Sequence, residues 1–134
     1  MRVLFVISGL SRGGAERQVV LLSKELVRLG HRVSIYTLTR VVQRLDEFAG
    51  VTVDVVVDQK RRRLDFGVLQ RLRRHVRDWR ADVIHGFLYD GNIYSRLAAW
   101  GLRRPVVNSE RSDAYALTSL QRVGYRSPRR CATA

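Results

Sequence analysis

Apolar residues along the chain alternate between two patterns: short, nearly continuous runs, and stretches repeating every three or four positions. Val3-Leu4-Phe5-Val6-Ile7 is an unbroken apolar run of strand length. Over residues 15–29, Val19, Leu22, Leu26 and Leu29 are spaced to share one helix face, with Arg17, Lys24 and Arg28 off it. Gly30 then supplies the left-handed stop at which a Cβ would be costly. Residues 32–38 alternate as a second strand, and the β-branched run 51–57 reads as a third. A charged connection at 58–63 leads to a helix near 65–80. It carries Leu69, Leu72, Val76 and Trp79 on one face, and Arg71, Arg73, Arg74, Arg77 and Arg80 over the rest. Residues 81–87 read as a fourth strand, 91–100 as a short helix, and 106–110, just past Pro105, as a fifth strand. Beyond Arg111 the pattern weakens: 117–125 can form a helix, and 127–134 show no periodicity.

Strands alternating with helices predict an α/β fold, a Rossmann-like parallel sheet with helices on both faces. Ligands of such sheets bind beyond the carboxyl ends of the strands. The loops after Ile7, Leu38, Ile84 and Asn108 are therefore the surface to search.

Composition narrows the classes. A chain of 134 residues with 46 % hydrophobic content fits one domain with a real core. The single cysteine, Cys131, forms no internal disulfide and fits a reducing, cytoplasmic setting. No apolar run approaches the ~20 residues of a transmembrane helix. Arg2 and the apolar run after it resemble a signal peptide only superficially, because the run ends at Ile7 without a small-residue cleavage site. The net charge of +13 is almost entirely arginine, Lys24 and Lys60 being the only lysines. Residues 61–80 alone hold eight arginines against Asp65 and Asp78. Such a face is either simply solvated or a surface for nucleic acid, anionic lipid or phosphorylated substrates. Trp79 and Trp100 read as core residues, and no aromatic platform interleaves the arginines, which disfavours nucleic acid.

Gly13-Gly14 precede the first helix, where unpaired N–H groups and the helix dipole favour an anion. The competing reading is a tight turn requiring positive φ. Glycines at 9, 13 and 14 do not spell G-x-G-x-x-G, no acidic residue ends the second strand, and the P-loop pattern is missing, which argues against a nicotinamide cofactor or a P-loop nucleotide. His85, near the end of the fourth strand, is either a general base or sugar-hydroxyl ligand, or a histidine satisfied by neighbouring backbone. His31 reads as a turn residue and His75 as a helix-surface residue. Asp90 is either a helix cap or a base or hydroxyl ligand closing the same loop as His85. Glu110 and Arg111 are either a surface ion pair or, for Arg111, a bidentate phosphate clamp. No His, Cys or carboxylate set has metal-ligand spacing, so no metal is expected.

Together, Val3–Ile7 with Gly13-Gly14-Ala15-Glu16-Arg17, then Leu29-Gly30-His31-Arg32-Val33, Ala81-Asp82-Val83-Ile84-His85, Leu88-Tyr89-Asp90-Gly91-Asn92, and Ser109-Glu110-Arg111 resemble the N-terminal domain of family 4 glycosyltransferases. That family has the two-domain GT-B architecture. The resemblance implies sugar transfer from a nucleotide-sugar donor, the co-substrate, to an acceptor hydroxyl on a glycan or lipid-linked sugar, with no metal or other cofactor. It implies that Gly13 and Gly14 form the turn facing the donor phosphates. His85 matches the first position of an H-x-H-type loop whose second position is Phe87, and Asp90 stands in for a polar or histidine residue of that loop. These two are the catalytic candidates; Gly13, Gly14, Asn92, Glu110 and Arg111 are the candidates for substrate or phosphate binding. The glutamates at 16, 25, 47 and 110 do not reproduce the donor domain's pair eight positions apart. Residues 1–134 are thus expected to be the acceptor-side domain, incomplete at its C-terminal end, without the donor-binding domain and inactive alone. The setting expected is cytoplasmic, in polysaccharide, glycolipid or lipopolysaccharide assembly, with the arginine-rich helix against the inner face of an anionic membrane. The alternative is a non-enzymatic basic α/β module binding nucleic acid or anionic membrane.

Overall fold

The computed structural model describes residues 1–109 and the backbone of Cys131–Thr133. Within them the chain runs β1 (Arg2–Ile7), α1 (Gly14–Arg28), β2 (Arg32–Thr37), a single 3-10 turn (Leu45–Phe48), β3 (Asp54–Val57), α2 (Phe66–Asp78), β4 (Val83–Phe87), α3 (Leu88–Ala99), β5 (Val106–Ser109) and β6 (Cys131–Thr133). All strand pairs are parallel, in the order β3-β2-β1-β4-β5-β6. This is the Rossmann-like arrangement expected, and its order reverses between β1 and β4, the switch point where ligands of such sheets bind.

The sheet is buried on both faces, which is why β1 is a continuous apolar run. On one face Phe5, Ile7, Val33, Ile35 and Phe87 pack with Val19 and Val20 of α1. On the other, Leu4, Val6, Tyr36 and Ile84 pack with Val68, Leu72 and Val76 of α2 and with Tyr94 and Ala98 of α3. α1 ends as expected. Gly30 has φ 90°, its N–H bonds to Val27 O, and the His31 N–H reaches back to Leu26 O at 2.9 Å, the paired bonds of a Schellman stop.

Several expectations are corrected. Leu29 lies past the end of α1 and is 57 % exposed. Trp100 lies past the end of α3 and is 76 % exposed, so it is not a core residue. β3 is shorter than the 51–57 run and forms the sheet edge. His75 is half-buried rather than on the surface: its Nε2 meets Ser34 Oγ at 2.9 Å and its ring stacks on Trp79. The apparently aperiodic C-terminal stretch contributes β6, paired with β5. The 117–125 helix lies outside the described residues.

Candidate functional site at the strand-order switch point

The carboxyl ends of β1 and β4 lie side by side at the switch point, and the loops leaving them flank the position where ligands of such sheets bind, as the two walls of a ligand crevice would. One wall is the segment from Ser8 to Gly13, tied to the chain that follows β2. Leu10 N–H donates to Val41 O (2.6 Å), Thr39 Oγ1 to Ser8 O (2.7 Å), and Arg44 Nε to Ser11 O (2.7 Å). Gly13 is the N-cap of α1 at φ −80°, ψ 173°. This is extended backbone, so the positive-φ turn is not what the glycine serves. The space where its Cβ would stand is taken by the Glu16 carboxylate, whose Oε1 accepts from Ser11 Oγ at 2.8 Å. Among the described residues no side chain hydrogen-bonds the first turn of α1, and a Cβ at Gly14 would meet nothing within 4 Å. The helix start is open to an anion on the Gly14 side.

The other wall is the β4–α3 corner. β4 passes into α3 with no linker, because Leu88 takes φ 63°. A left-handed conformation at a bulky residue such as leucine costs energy and persists only when the packing around it is determined. Gly86 and Gly91 provide that packing. A Cβ at Gly86 would lie 2.6 Å from Gly91 O and 2.7 Å from Ser95 Oγ, and one at Gly91 would collide with Val6 O. The first turn of α3 is therefore seated directly on the backbone of β1.

Asp90 lies in that first turn and does not cap the helix; the N-cap is Phe87. Its Oδ2 instead accepts from Lys60 Nζ at 2.7 Å, a half-buried pair joining the β3–α2 connection to the corner. Asn92 is fully buried and bonds through Nδ2 to Ser109 O at 3.3 Å. With its amide turned to satisfy its neighbours, Asn108 donates to Asn92 Oδ1 (3.3 Å) and accepts from Arg96 Nε and Nη2 (2.9 Å each). Asn92 thus braces α3 against β5 from inside.

His85 sits mid-strand, in register with Phe5 and Val107, rather than at the end of β4. Its ring stacks on Phe87 (4.3 Å between centroids) and its Nε2 meets Ser109 Oγ at 2.7 Å. Its partner is a side-chain hydroxyl, not backbone. Burial lowers its pKa to about 4, so the imidazole is neutral near pH 7. The structure does not bring His85 and Asp90 together: one faces α1 and the rings of Phe5 and Phe87, the other is held by Lys60. Glu110 and Arg111 lie outside the described residues.

Sequence reasoning missed Lys60, whose partner is 30 residues away. It also missed Asp65, which caps α2 by accepting from Gly67 N–H (3.0 Å) and Val68 N–H (3.2 Å). A local signal did exist for the cap, an aspartate immediately before a helix-period apolar run.

A parallel sheet ordered 3-2-1-4-5-6, with a glycine-led helix start and a strained strand–helix corner at its switch point, defines a Rossmann-like ligand-binding domain. The sequence pattern of glycosyltransferase family 4 matches residues 12–131, and the chain belongs to that family. No curated protein sequence matches. Among solved structures the fold is similar to MurG from Acinetobacter baumannii, at 18 % identity and TM-score 0.69, over 99 % of this chain and 41 % of that one. It is also similar to Anabaena Alr3699/HepE in complex with UDP, at 17 % identity and TM-score 0.70, over 92 % of this chain and 34 % of that one. A glycosyltransferase from Rickettsia africae shares 14 % identity at TM-score 0.68, over 93 % of this chain and 33 % of that one. The chain therefore spans between a third and about two fifths of the length of these structures. None of them supports a non-enzymatic nucleic-acid module.

Proposed function

We propose that this chain forms the acceptor-side wall of a two-domain glycosyltransferase acting at the cytoplasmic face of a membrane. Its reaction moves a sugar from a nucleotide-sugar donor to an acceptor hydroxyl in polysaccharide, glycolipid or lipopolysaccharide assembly. The hydroxyl oxygen forms a bond to the anomeric carbon, the bond from that carbon to the phosphate oxygen breaks, the nucleotide leaves with the electron pair, and the hydroxyl proton passes to the departing phosphate or to water. The observation that carries the reading is the switch point of a family 4 chain, where the carboxyl end of β1 leads into an α1 start whose N-cap is glycine and the β4–α3 corner is seated on Val6 of the same strand.

In this reading the open N–H groups at Gly14 receive the donor's anionic part, and Asp90 Oδ1 accepts the hydrogen of a sugar hydroxyl while Lys60 holds Oδ2. His85 shapes the sheet behind the crevice with Ser109. A nucleotide sugar needs a second domain to complete its site, so the chain alone does not turn one over. The test is transfer of label from nucleotide sugars to acceptors in a membrane extract. Transfer by a polypeptide joining this chain to a donor-binding domain, with none by residues 1–134 alone, is the expected result. Turnover by the 134-residue chain, or none by the two-domain protein, overturns the proposal.

Membrane contact is supported by exposed residues beside the basic segment. Phe66 is 68 % and Leu64 is 41 % exposed, next to Arg62 and Arg63, while Arg74, Arg77 and Arg80 are exposed on or just past α2. Arg71 and Arg73 are tied to Asp58 and to the carbonyls of Ala98 and Trp100, and the Arg63 guanidinium lies over the Tyr89 ring. No described helix is long and apolar enough to cross a membrane. Each basic residue near an anionic bilayer contributes on the order of 1 kcal/mol, lost with salt. Co-sedimentation with phosphatidylglycerol vesicles at low salt, reduced by Phe66→Ser and Arg77→Ala, is expected; equal recovery with neutral vesicles contradicts it.

A further inference from the structure

Past the carboxyl ends of β2 and β3, on the same edge of the sheet as the crevice, lies a second concavity of about 630 Å³. It is lined by Arg40, Val57, Asp58, Gln59, Arg61, Asp65 and Arg71. We propose that it binds the phosphate or diphosphate group of a phosphorylated ligand through Arg40 and Arg61, with Arg71 as a third, fixed donor.

Arg40 and Arg61 are exposed, and neither guanidinium has a partner among the described residues. Their backbones are nevertheless positioned. Arg40 N–H donates to Gln59 Oε1 (3.2 Å), Gln59 Nε2 donates to Lys60 O (3.0 Å), and Arg61 N–H donates to Asp65 Oδ2 (3.0 Å). The loops after β2 and β3 are thereby stitched together with their cations at the rim.

The two carboxylates inside keep their charge but are outnumbered by Arg40, Arg61 and Arg71, and their lone pairs are already taken up. Asp58 accepts Arg71 Nε (2.9 Å) and Nη2 (3.0 Å), the Tyr36 hydroxyl, and the Gln59 N–H (2.8 Å). Burial pushes its pKa up, but these hydrogen bonds outweigh burial and hold it below the usual carboxylate range. Asp65 accepts three backbone N–H groups. Arg71 keeps Nη1 outside the Asp58 pair, so its planar fork is locked in place while a donor remains for a ligand.

Guanidinium groups on separate loops around one hollow suit a group with several acceptor oxygens and about two charges, such as a phosphate monoester or diphosphate; a carboxylate would use only one fork. Lys60 joins this hollow to Asp90 at the corner. A ligand anchored by phosphate here extends toward the crevice, which makes it an acceptor. That assignment rests on the glycosyltransferase reading; the anion site does not.

The test is titration of the ¹⁵N-labelled chain with inorganic phosphate and glucose 1-phosphate at constant ionic strength, with chloride as the control. Saturable shifts at Arg40, Gln59 and Arg61 are expected. Arg40→Ala and Arg61→Ala should each weaken the dissociation constant roughly tenfold, and Arg28→Ala, in the last turn of α1, should leave it unchanged. A second arm uses vesicles with and without a polyprenyl phosphate. Preference for those vesicles over glucose 1-phosphate identifies a lipid-linked source, and the reverse a free sugar phosphate. Absence of saturable binding, or an equal loss in Arg28→Ala, overturns the site. Binding that survives in a two-domain protein incapable of sugar transfer would overturn only the assignment to an acceptor.

Discussion

Substituting Gly86 with alanine tests whether the β4–α3 corner is as tightly seated as the structure shows. The added Cβ would lie 2.6 Å from Gly91 O, 2.7 Å from Ser95 Oγ and 2.9 Å from Asn92 Cα. Two of these atoms are backbone, so relief requires the first turn of α3 to retreat by roughly 0.5–1 Å to reach ordinary contact. That retreat also loosens the fit of Gly91 on Val6 and the bond from Asn92 to Ser109 O. Overpacking of this kind costs about 3 kcal/mol, and alanine returns about 0.5–1 kcal/mol by restricting the unfolded chain. The net loss is about 2 kcal/mol. With a urea slope of about 1.5 kcal/mol per molar, the unfolding midpoint should fall by about 1 M. Gly14→Ala is the matched control: open space surrounds the new Cβ, and its midpoint should hold or rise slightly. A Gly86→Ala midpoint equal to or above the parent's would refute the reasoning.

The half-buried imidazole of His85 has a folded pKa of about 4 against about 6.5 unfolded. Below 6.5 the unfolded chain binds the proton more readily. The stability present above that pH is therefore lost as pH falls toward 4, by on the order of 2 kcal/mol after solvent screening. Burial lowers the pKa of His75 in the same direction, opposed by Asp54 and Asp78. Urea midpoints measured from pH 7 to 4 should fall, and His85→Phe should flatten the curve; an NMR pKa near 6.5 for His85 would contradict it. Lys60→Met leaves Asp90 half-buried without its cation and should cost about 2 kcal/mol. Adding Asp90→Asn should recover more than half, and additive losses would show that the pair is not coupled. Asp65→Ala should unprotect the amides of Gly67 and Val68 in hydrogen exchange, with Asp65→Ser restoring most of the protection.

Features set by local chemistry were legible in the sequence. β1 is a plain apolar run because both faces of the sheet are covered. The stop of α1 at Gly30 follows from the left-handed backbone needed there, and the buried stripe of α2 follows from helical spacing. Features set by tertiary packing were not. Asp90 has the chemistry of a cap, but Leu88 takes the left-handed turn that starts α3 three residues after His85, and nothing about a leucine signals that conformation. Trp100 looked apolar enough for the core but falls just beyond the helix end. The pairings of Asp90 with Lys60 and His85 with Ser109 join residues 30 and 24 positions apart, so they emerge only when the sheet brings the loops together. The same holds for Gly13, whose missing Cβ makes room for the Glu16 carboxylate rather than for a turn.

The central claim is that the switch-point crevice is one wall of a sugar-transfer site, and mapping a nucleotide sugar onto the chain tests it most directly. UDP-glucose titrated to millimolar levels into ¹⁵N-labelled protein should shift the amides of Ser11 to Ala15 and of Leu88 to Gly91, weakly, as half a site would. Shifts confined to the amino ends of the strands, around Arg2, Arg32 and Asp82, or no shift at either wall, would contradict the account.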